Sequence, residues 1–431
     1  MGSTNLRPQK DEPITHERFG NLGRHDAVVM AREVHGNGHA FVSNDFTYIH
    51  LSVTGRCQAR CKGCINSVIT ASRPGERRDL SPVGETIPAR DAACILNLLK
   101  EEVAGEAAVC FYGGEPLLVP DRIAEIIEIL RAAKCSYPVR YMLYTNGDLL
   151  GNVIEKQPGL MEKMWLVSVS IDGRQEQHQE ARPGTDLDKI HAGLRKLKGL
   201  GRGRVLMWST LRETQTLADC FAEFLELHEQ GLADLFFWHW VETAIPYDDF
   251  PAYLSGYEQE LRQVMECYLV WISRGELLPV IHLNELIIFL LAGRGRNSSA
   301  CGVELAGNFD LIGGRIQACA DLPLELAIGE IAADGTPIFH DQDLSFLVAY
   351  KQDLGCYQCG VHDYCGGRCP VQAQISGPER LLQYCQLMRL HVGVVQDYLP
   401  AIAGQLKIHN LTCQTLYDAA AFYAQFTDVT P

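Results

Sequence analysis

Short apolar stretches alternate with longer amphipathic stretches from residue 48 onward. The short stretches are rich in β-branched and aromatic residues, which favours strands, and they cover 48–53, 107–112, 139–145, 165–171, 204–209 and 235–241. The longer stretches have helical spacing, as in 120–133, where apolar residues recur at i, i+3, i+4 and i+7. Six such units predict an α/β fold in which helices cover parallel strands. The pattern is compatible with an open doubly wound sheet or with part of a barrel.

The pattern changes after Gly293. Glycine, cysteine and weakly periodic segments continue to about Cys385, which predicts a small domain rich in loops, and one or two helices with a break near Pro400 are expected in the tail. We therefore expect four parts: a polar lead-in at 1–46 with a strand-turn-strand at 27–42, an α/β domain at 47–290, a cysteine-rich domain at 291–386 and a helical tail at 387–431.

Cysteine is the feature of the composition that adds most to this picture. The 431 residues include 16 cysteines, and 53 acidic against 38 basic side chains give a net charge of −15. Residues 1–20 are polar and charged with no apolar run, so we expect no secretory signal, and a chain of 47.9 kDa can bury a core without disulfides. We therefore expect reduced thiols in a cytoplasmic protein. Metal bound by thiols is the leading explanation for the cysteines.

Charge and hydropathy argue against two classes of partner. The acidic chain has no block of lysine and arginine, so no nucleic-acid partner is expected. Its longest apolar stretch, 280–292, is too short to span a bilayer, and the sixth residue, Leu6, does not match a myristoylation signal. We expect no membrane association.

Three cysteines follow the first predicted strand: Cys57, Cys61 and Cys64. Three thiolates on one loop can hold a metal cluster and leave one coordination position open, whereas structural zinc sites complete four ligands. The loop also lies where βα enzymes place their active sites, just after the carboxyl end of a strand. The alternatives are ordinary thiols or a zinc knuckle completed elsewhere.

Together with Gly113-Gly114-Glu115-Pro116 after the second strand, the trio resembles the radical S-adenosylmethionine (SAM) enzymes. The resemblance implies a partial (β/α)6 TIM-like barrel whose three cysteines hold a 4Fe-4S cluster with SAM at its open iron. In that family an electron from the cluster cleaves SAM, and the resulting 5'-deoxyadenosyl radical abstracts hydrogen from the substrate. One departure is Gly63, since the residue before the third cysteine is often aromatic in the family.

The same resemblance implies a set of residues that contact SAM. The two glycines would allow close approach of the backbone to the ligand. A turn at the end of a strand is the alternative for the Asp-Gly pair at 172–173. The candidate SAM-binding residues are Gly113, Gly114, Glu115, Pro116, Asn146, Ser170, Asp172 and Arg182.

A second group of seven cysteines resembles the SPASM extension of radical SAM enzymes, which holds two auxiliary 4Fe-4S clusters. The resemblance assigns one cluster to Cys356, Cys359, Cys365 and Cys385, and the other to Cys301, Cys319 and Cys369. A fourth cysteine of some relatives is replaced by Gly307, so one iron is either open or held by a residue such as Asp321, which is also our candidate catalytic residue. Zinc is the alternative, but seven ligands do not divide into fours.

The remaining cysteines have no such spacing. Cys94, Cys110, Cys135, Cys220, Cys267 and Cys413 lie among apolar neighbours and are predicted to be small buried side chains. Trp238 and Trp240 on the sixth strand are likewise predicted to fill the core, with stacking against a substrate as the alternative. In sulfatase-maturing relatives an aspartate directly follows the cysteine that corresponds to Cys319, but this chain has Ala320 there. This difference weakens the assignment of the chain to the sulfatase-maturing enzymes.

Most relatives with this extension modify peptides or proteins. The resemblance therefore implies a peptide-modifying enzyme that uses SAM and three 4Fe-4S clusters and oxidises or crosslinks side chains of a ribosomally made precursor. A flavodoxin or ferredoxin would supply electrons, and a separate protein would bind the leader peptide. The alternatives are action on a small molecule, such as a tetrapyrrole side chain or an amino-sugar, and a non-catalytic iron-sulfur electron carrier or zinc-stapled binding protein.

Overall fold

The structure is a computed structural model that describes residues 46–64, 85–102, 106–133, 138–201, 203–293, 299–305, 309–322 and 324–427. Three sequence expectations lie outside these residues: the strand-turn-strand at 27–42, the burial of Cys135 and the role of Gly307.

Ten strands form one sheet in the described part of the chain. Their order is β10-β9-β8-β7-β1-β2-β3-β4-β5-β6. The strands are β1 (Phe46–Thr54), β2 (Glu106–Gly113), β3 (Val139–Thr145), β4 (Met164–Ser170), β5 (Arg204–Leu211), β6 (Leu235–Trp240), β7 (Phe309–Ile312), β8 (Arg315–Gln317), β9 (Gly329–Ile331) and β10 (Pro337–Phe339).

The strand order decides between the two architectures that the pattern allowed. Strands β1 to β6 are parallel and follow one another in chain order, whereas a doubly wound sheet reverses its order at a switch point. The partial (β/α)6 barrel is therefore confirmed. Strand β7 pairs in parallel with the free edge of β1, and β8 to β10 continue the sheet in antiparallel fashion.

Helices cover the outer face of the sheet, and side-chain caps fix where several of them begin. The Asp186 carboxylate accepts hydrogen bonds from two amides of the first turn of the sixth helix, and Thr216 caps the seventh. The helices are α1 (Pro88–Glu102), α2 (Pro120–Ala132), α3 (Leu150–Lys156), α4 (Pro158–Met161), α5 (Gln175–Ala181), α6 (Leu187–Gly199), α7 (Leu217–Glu229), α8 (Phe250–Ile272), α9 (Ile281–Ala292), α10 (Tyr350–Asp353), α11 (His362–Cys365), α12 (Pro370–Ile375), α13 (Pro378–Ile408) and α14 (Cys413–Ala419).

The two faces of the barrel strands have different partners because side chains alternate along a strand. Outward residues such as Ile49 and Val109 join the large core under the helices, which also contains Trp238 and Trp240, as predicted for the two tryptophans. Inward residues such as Leu206 form a smaller cluster with the C-terminal segment Ala421–Phe426. The last described residues of the chain therefore pack inside the barrel and cover the apolar part of its inner face.

The predicted break at Pro400 is wrong, because α13 continues through it. Packing stabilises the helix on both sides of the proline. Before it, Tyr257 of α8 hydrogen-bonds to His391 at 2.9 Å and Arg262 pairs with Asp397 at 3.0 Å. After it, Ile402 is fully buried. None of the helices in the described ranges combines the length and apolarity needed to cross a bilayer.

Candidate active site

A cavity of about 350 Å³ lies inside the barrel, toward the carboxyl ends of the strands. Two separate groups of cysteines line it. One is the trio after β1, and the other is the trio that resemblance assigned to the second auxiliary cluster: Cys57, Cys61, Cys64, Cys301, Cys319 and Cys369. Because parallel strands place their carboxyl ends at one edge, the loops after β1 and β7 meet at this cavity.

The loop that carries the first trio is held against the end of β2. Amides of Gly114 and Glu115 donate to the carbonyl oxygens of Thr54 and Arg56, at 2.8 and 2.7 Å. A Cβ on Gly114 would overlap Arg56 O. Glycine is thus required because two stretches of backbone meet at this point.

The absence of an aromatic residue at Gly63 has a local explanation. Its φ is +59°, and a Cβ would lie 2.5 Å from the Val241 methyl group Cγ2. A side chain at this position would be strained by the backbone and blocked by its neighbour. The departure from the family pattern therefore matches the packing between the cysteine loop and the segment after β6.

Glu115 is fully buried and connects the ends of β2 and β3. Its carboxylate accepts from Thr145 Oγ1 at 2.7 Å and from the amides of Leu117 and Asn146 at 3.0 and 2.8 Å. Burial raises the pKa of Glu115 to about 7, although these hydrogen bonds oppose the rise. Glu115 and Pro116 lie outside the lining of the cavity, so Glu115 supports the loops that form the site.

Polar hydrogens point toward the sulfurs of the first trio. Asn146 Nδ2 lies 3.8 Å from Cys57 Sγ, and Arg182 Nη1 lies 3.8 Å from Cys61 Sγ. Hydrogen bonds to sulfur are one way in which a protein sets the electronic properties of a thiolate cluster. Asn146 and Arg182 therefore lie where they can hold or tune a cluster at the trio.

Asp172 holds the side chains that contact the first cysteine loop. It is fully buried, and its carboxylate accepts from Arg182 Nε at 2.7 Å, Arg212 Nη1 at 2.8 Å and the Thr210 amide at 2.8 Å. Burial alone would raise the pKa of Asp172, but the two arginines hold it well below its usual range. Arg212 also donates to Lys62 O, inside the cysteine loop. The carboxylate thus fixes two cations that contact the loop.

The second trio shares its part of the cavity with several ionisable groups. His50 Nδ1 lies 3.3 Å from the Asp310 carboxylate, across the pairing of β1 with β7. Burial by itself would lower the pKa of His50, but Asp310, aided by Cys110, raises it to about 10. Asp321 lines the cavity, and its amide lies 3.4 Å from Cys319 Sγ.

A second, smaller cavity of about 30 Å³ contains the other four cysteines of the extension. The four are those assigned together from the sequence: Cys356, Cys359, Cys365 and Cys385. Arg389 Nη2 lies 3.6 Å from Cys359 Sγ. The structure therefore brings the complete predicted set together at one site.

The predicted site residues fall into three places. The large cavity is lined by both trios and by Gly113, Gly114, Asn146, Ser170, Arg182 and Asp321. The small cavity contains the remaining four cysteines. Glu115, Pro116 and Asp172 line neither of these cavities.

Sequence reasoning missed several polar residues inside the barrel. They include His50, His239, Asp310, Arg212 and Arg368, all of which line the large cavity. One usable signal was present: on β1, His50 shares a face with Tyr48 and Ser52, opposite the apolar Ile49 and Leu51, which indicates a polar inward face.

Residues 51–248 match the Radical SAM superfamily. The matched residues run from within β1 to just past β6, so the match and the barrel confirm the predicted radical SAM class for this part of the chain. The SPASM-type extension that follows it stays a prediction.

Three solved structures show different degrees of similarity to this chain. His-tagged anSMEcpe with bound AdoMet is similar at 16% identity and a TM-score of 0.62, covering 84% of this chain and 99% of that chain. Native anSMEcpe with bound AdoMet and Kp18Cys peptide has 15% identity and a TM-score of 0.59, covering 85% and 99%. Streptococcus suis SuiB bound to precursor peptide SuiA has 16% identity and a TM-score of 0.47, covering 75% and 72%. No curated protein sequence matches the chain.

The donor sets suit the iron-sulfur groups that the superfamily implies. Each site offers thiols, the ligands of such clusters, and nitrogen donors approach the sulfurs of Cys57, Cys61 and Cys359. In the described part of the chain, no three His, Cys, Asp or Glu side chains converge as ligands of a single ion do.

Proposed function

We propose that this radical SAM enzyme acts on a peptide or protein, leaving an oxidised side chain or a crosslink. The observation that supports this most directly is the shared cavity, which is lined by the Cys57, Cys61 and Cys64 trio and also by the trio near Asp321. When bound, SAM and its cluster supply a 5'-deoxyadenosyl radical that abstracts hydrogen. A substrate between the two trios would be close to both sites.

In this proposal the residues of the chain position the reactants. Asn146 and Arg182 orient the first trio, and Asp172 holds Arg182 in place. SAM would lie along Gly113, Gly114 and Ser170, which line the cavity. Asp321 would accept the proton that the substrate loses, or act as the fourth ligand beside Cys301, Cys319 and Cys369.

The peptide substrate is supported by likeness of fold. Native anSMEcpe with bound AdoMet and Kp18Cys peptide covers 85% of this chain at a TM-score of 0.59. We propose further that a flavodoxin or ferredoxin supplies electrons in the cytoplasm and that a separate protein presents the leader peptide. The cavity volume of about 350 Å³ also lies in the range of roughly 300–1,000 Å³ for small-molecule sites. This favours a small molecule, such as an amino-sugar or a tetrapyrrole side chain, as the second candidate substrate.

The first experiment tests SAM cleavage. Protein reconstituted anaerobically with iron and sulfide, then reduced with dithionite, should convert SAM to 5'-deoxyadenosine. The triple variant Cys57→Ala, Cys61→Ala, Cys64→Ala should lose this activity, while Cys267→Ala in α8 should retain it. If the wild type produced no 5'-deoxyadenosine with peptides present, the result would contradict the proposed enzymatic function and favour a non-catalytic iron-sulfur protein.

The second experiment counts the clusters. Three 4Fe-4S clusters correspond to about twelve irons per chain, and the triple variant should retain about eight. A wild type with four irons or fewer would contradict the auxiliary clusters.

The third experiment identifies the substrate class. The enzyme is incubated with SAM and either candidate precursor peptides or amino-sugars, and the products are measured by mass spectrometry. Peptide modification predicts a peptide that loses hydrogen in step with 5'-deoxyadenosine formation. Conversion of the amino-sugars alone would favour the second candidate.

A further inference from the structure

Arg368 lies between the two auxiliary cysteine sites. In sequence it separates Cys365, which lines the small cavity, from Cys369, which lines the large one. Arg368 itself lines both cavities, although only 6% of its surface is exposed. A single buried cation is therefore shared by two groups of thiols.

Several contacts fix the position of this guanidinium. Its central carbon lies 4.9 Å from the ring centre of Tyr384 and 5.7 Å from that of Trp240. Nη2 lies 3.9 Å from the Glu242 carboxylate, which also lines the large cavity. Cation–π contact and partial neutralisation both stabilise a buried charge.

The backbone at Arg368 is strained. Its φ is +65°, in the left-handed region that is unfavourable for a residue with a Cβ. Gly366 and Gly367 before it adopt the same region, which glycine enters freely. A glycine at position 368 would adopt this conformation without strain. The presence of arginine there, despite its cost in stability, indicates a role for the arginine side chain.

Arg389 provides a natural comparison. It lies 3.6 Å from Cys359 and lines the small cavity, but the lining of the large cavity does not include it. The chain thus has one arginine that faces a single auxiliary site and another that faces both.

We propose that Arg368 is a shared positioning residue whose charge raises the reduction potentials of both auxiliary clusters. Reduction adds one electron to a cluster, and a nearby cation favours the more negative state. The inference rests on the proposed function, because it requires clusters at both sites.

The test uses the full chain with Cys57→Ala, Cys61→Ala and Cys64→Ala, so that only auxiliary clusters contribute signals. Both midpoint potentials are measured in a redox titration followed by electron paramagnetic resonance. Arg368→Gln should lower both potentials, whereas Arg389→Gln should lower only that of the Cys356, Cys359, Cys365 and Cys385 site. A change at one site or at neither in Arg368→Gln would overturn the proposal.

Two further measurements keep the test decisive. Glu242→Gln removes the anion that partly neutralises Arg368, so both midpoint potentials should rise. An unchanged potential at the small-cavity site would contradict the proposal that both sites share the charge of Arg368. This outcome remains informative if the Arg368→Gln variant binds less iron. Iron content separates this inference from the proposed function. About eight irons in the background variant support the two auxiliary clusters, whereas markedly fewer would refute those clusters independently of Arg368.

Discussion

Gly113 and Gly114 lie at the site where the sequence motif predicted them, but backbone packing is a further reason for glycine at these positions. Sequence reasoning placed them where backbone approaches a ligand. The structure shows that they line the cavity and also let the end of β2 approach Thr54 and Arg56. The position of the loop that carries the first cysteine trio therefore depends on close contact between two backbone segments.

Gly114→Ala should displace the loop, because its new Cβ would overlap Arg56 O. We expect a loss of about 2–4 kcal/mol in the free energy of unfolding and loss of most iron at the first trio. Urea unfolding and iron analysis measure these effects. Gly256→Ala in α8 is the control, since no atom lies within 4 Å of its Cβ position. Equal iron content in the two variants would refute the explanation.

Glu115 predicts a specific dependence of stability on pH. Its pKa is about 7 in the folded protein, against an ordinary value of 4.5. Between these values the folded state binds more protons than the unfolded state, so stability falls as pH rises from about 4.5 to 7. The contribution of this group amounts to about 3 kcal/mol.

Glu115→Gln removes this titration without a large change in volume. The difference between wild type and variant in free energy of unfolding should therefore change across the same pH window. Urea titrations at several pH values measure it. A constant difference from pH 4 to pH 8 would contradict the shifted pKa.

At the scale of elements, α13 connects the cysteine-rich region to the barrel. The helix carries Cys385 near one end and packs on α8 through His391 and Asp397. It tolerates Pro400 because these contacts before the proline, and the burial of Ile402 after it, offset the missing amide hydrogen bond. Local sequence rules predicted a break there because they contain no information on this packing.

Pro400→Ala should stabilise the protein, because the alanine amide can donate to Gln396 O and the proline is exposed. We expect a gain of about 1–2 kcal/mol, since the regained hydrogen bond outweighs the greater freedom of the unfolded chain. Thermal unfolding should show a higher Tm. A lower Tm would indicate that the proline shapes the helix in a way required for packing.

At the scale of the whole molecule, the end of the described chain completes the catalytic barrel. Segment Ala421–Phe426 packs against inward side chains of the strands, and Phe426 lines the large cavity. Tyr144 of β3 donates to Phe426 O at 2.8 Å. The size of the cavity therefore depends on residues that lie far from the radical SAM match in sequence.

Phe426→Ala should create a void beneath the cavity. The ring is 1% exposed and contacts Trp165 and Tyr48, so we expect a loss of about 3–5 kcal/mol in the free energy of unfolding. Phe339→Ala is the control, because that ring is 48% exposed and its removal should cost about 0.5 kcal/mol or less. Comparable losses from both variants would show that the tail is not part of the core.

The sequence by itself determined the six barrel strands, most of their helices and the division of the cysteines. These features follow from local periodicity and from spacing along the chain, which the sequence contains directly. The superfamily and the set of four cysteines at the small cavity came instead from the resemblance of these motifs to radical SAM enzymes.

The tertiary structure alone decided which distant groups meet. It brought both cysteine trios to one cavity, placed Glu115 and Asp172 behind the residues that line the site, and folded the tail into the barrel. These outcomes depend on the pairing of β1 with β7 and on packing across the inside of the barrel. Residues far apart in sequence make those contacts, so neither periodicity nor spacing determines them.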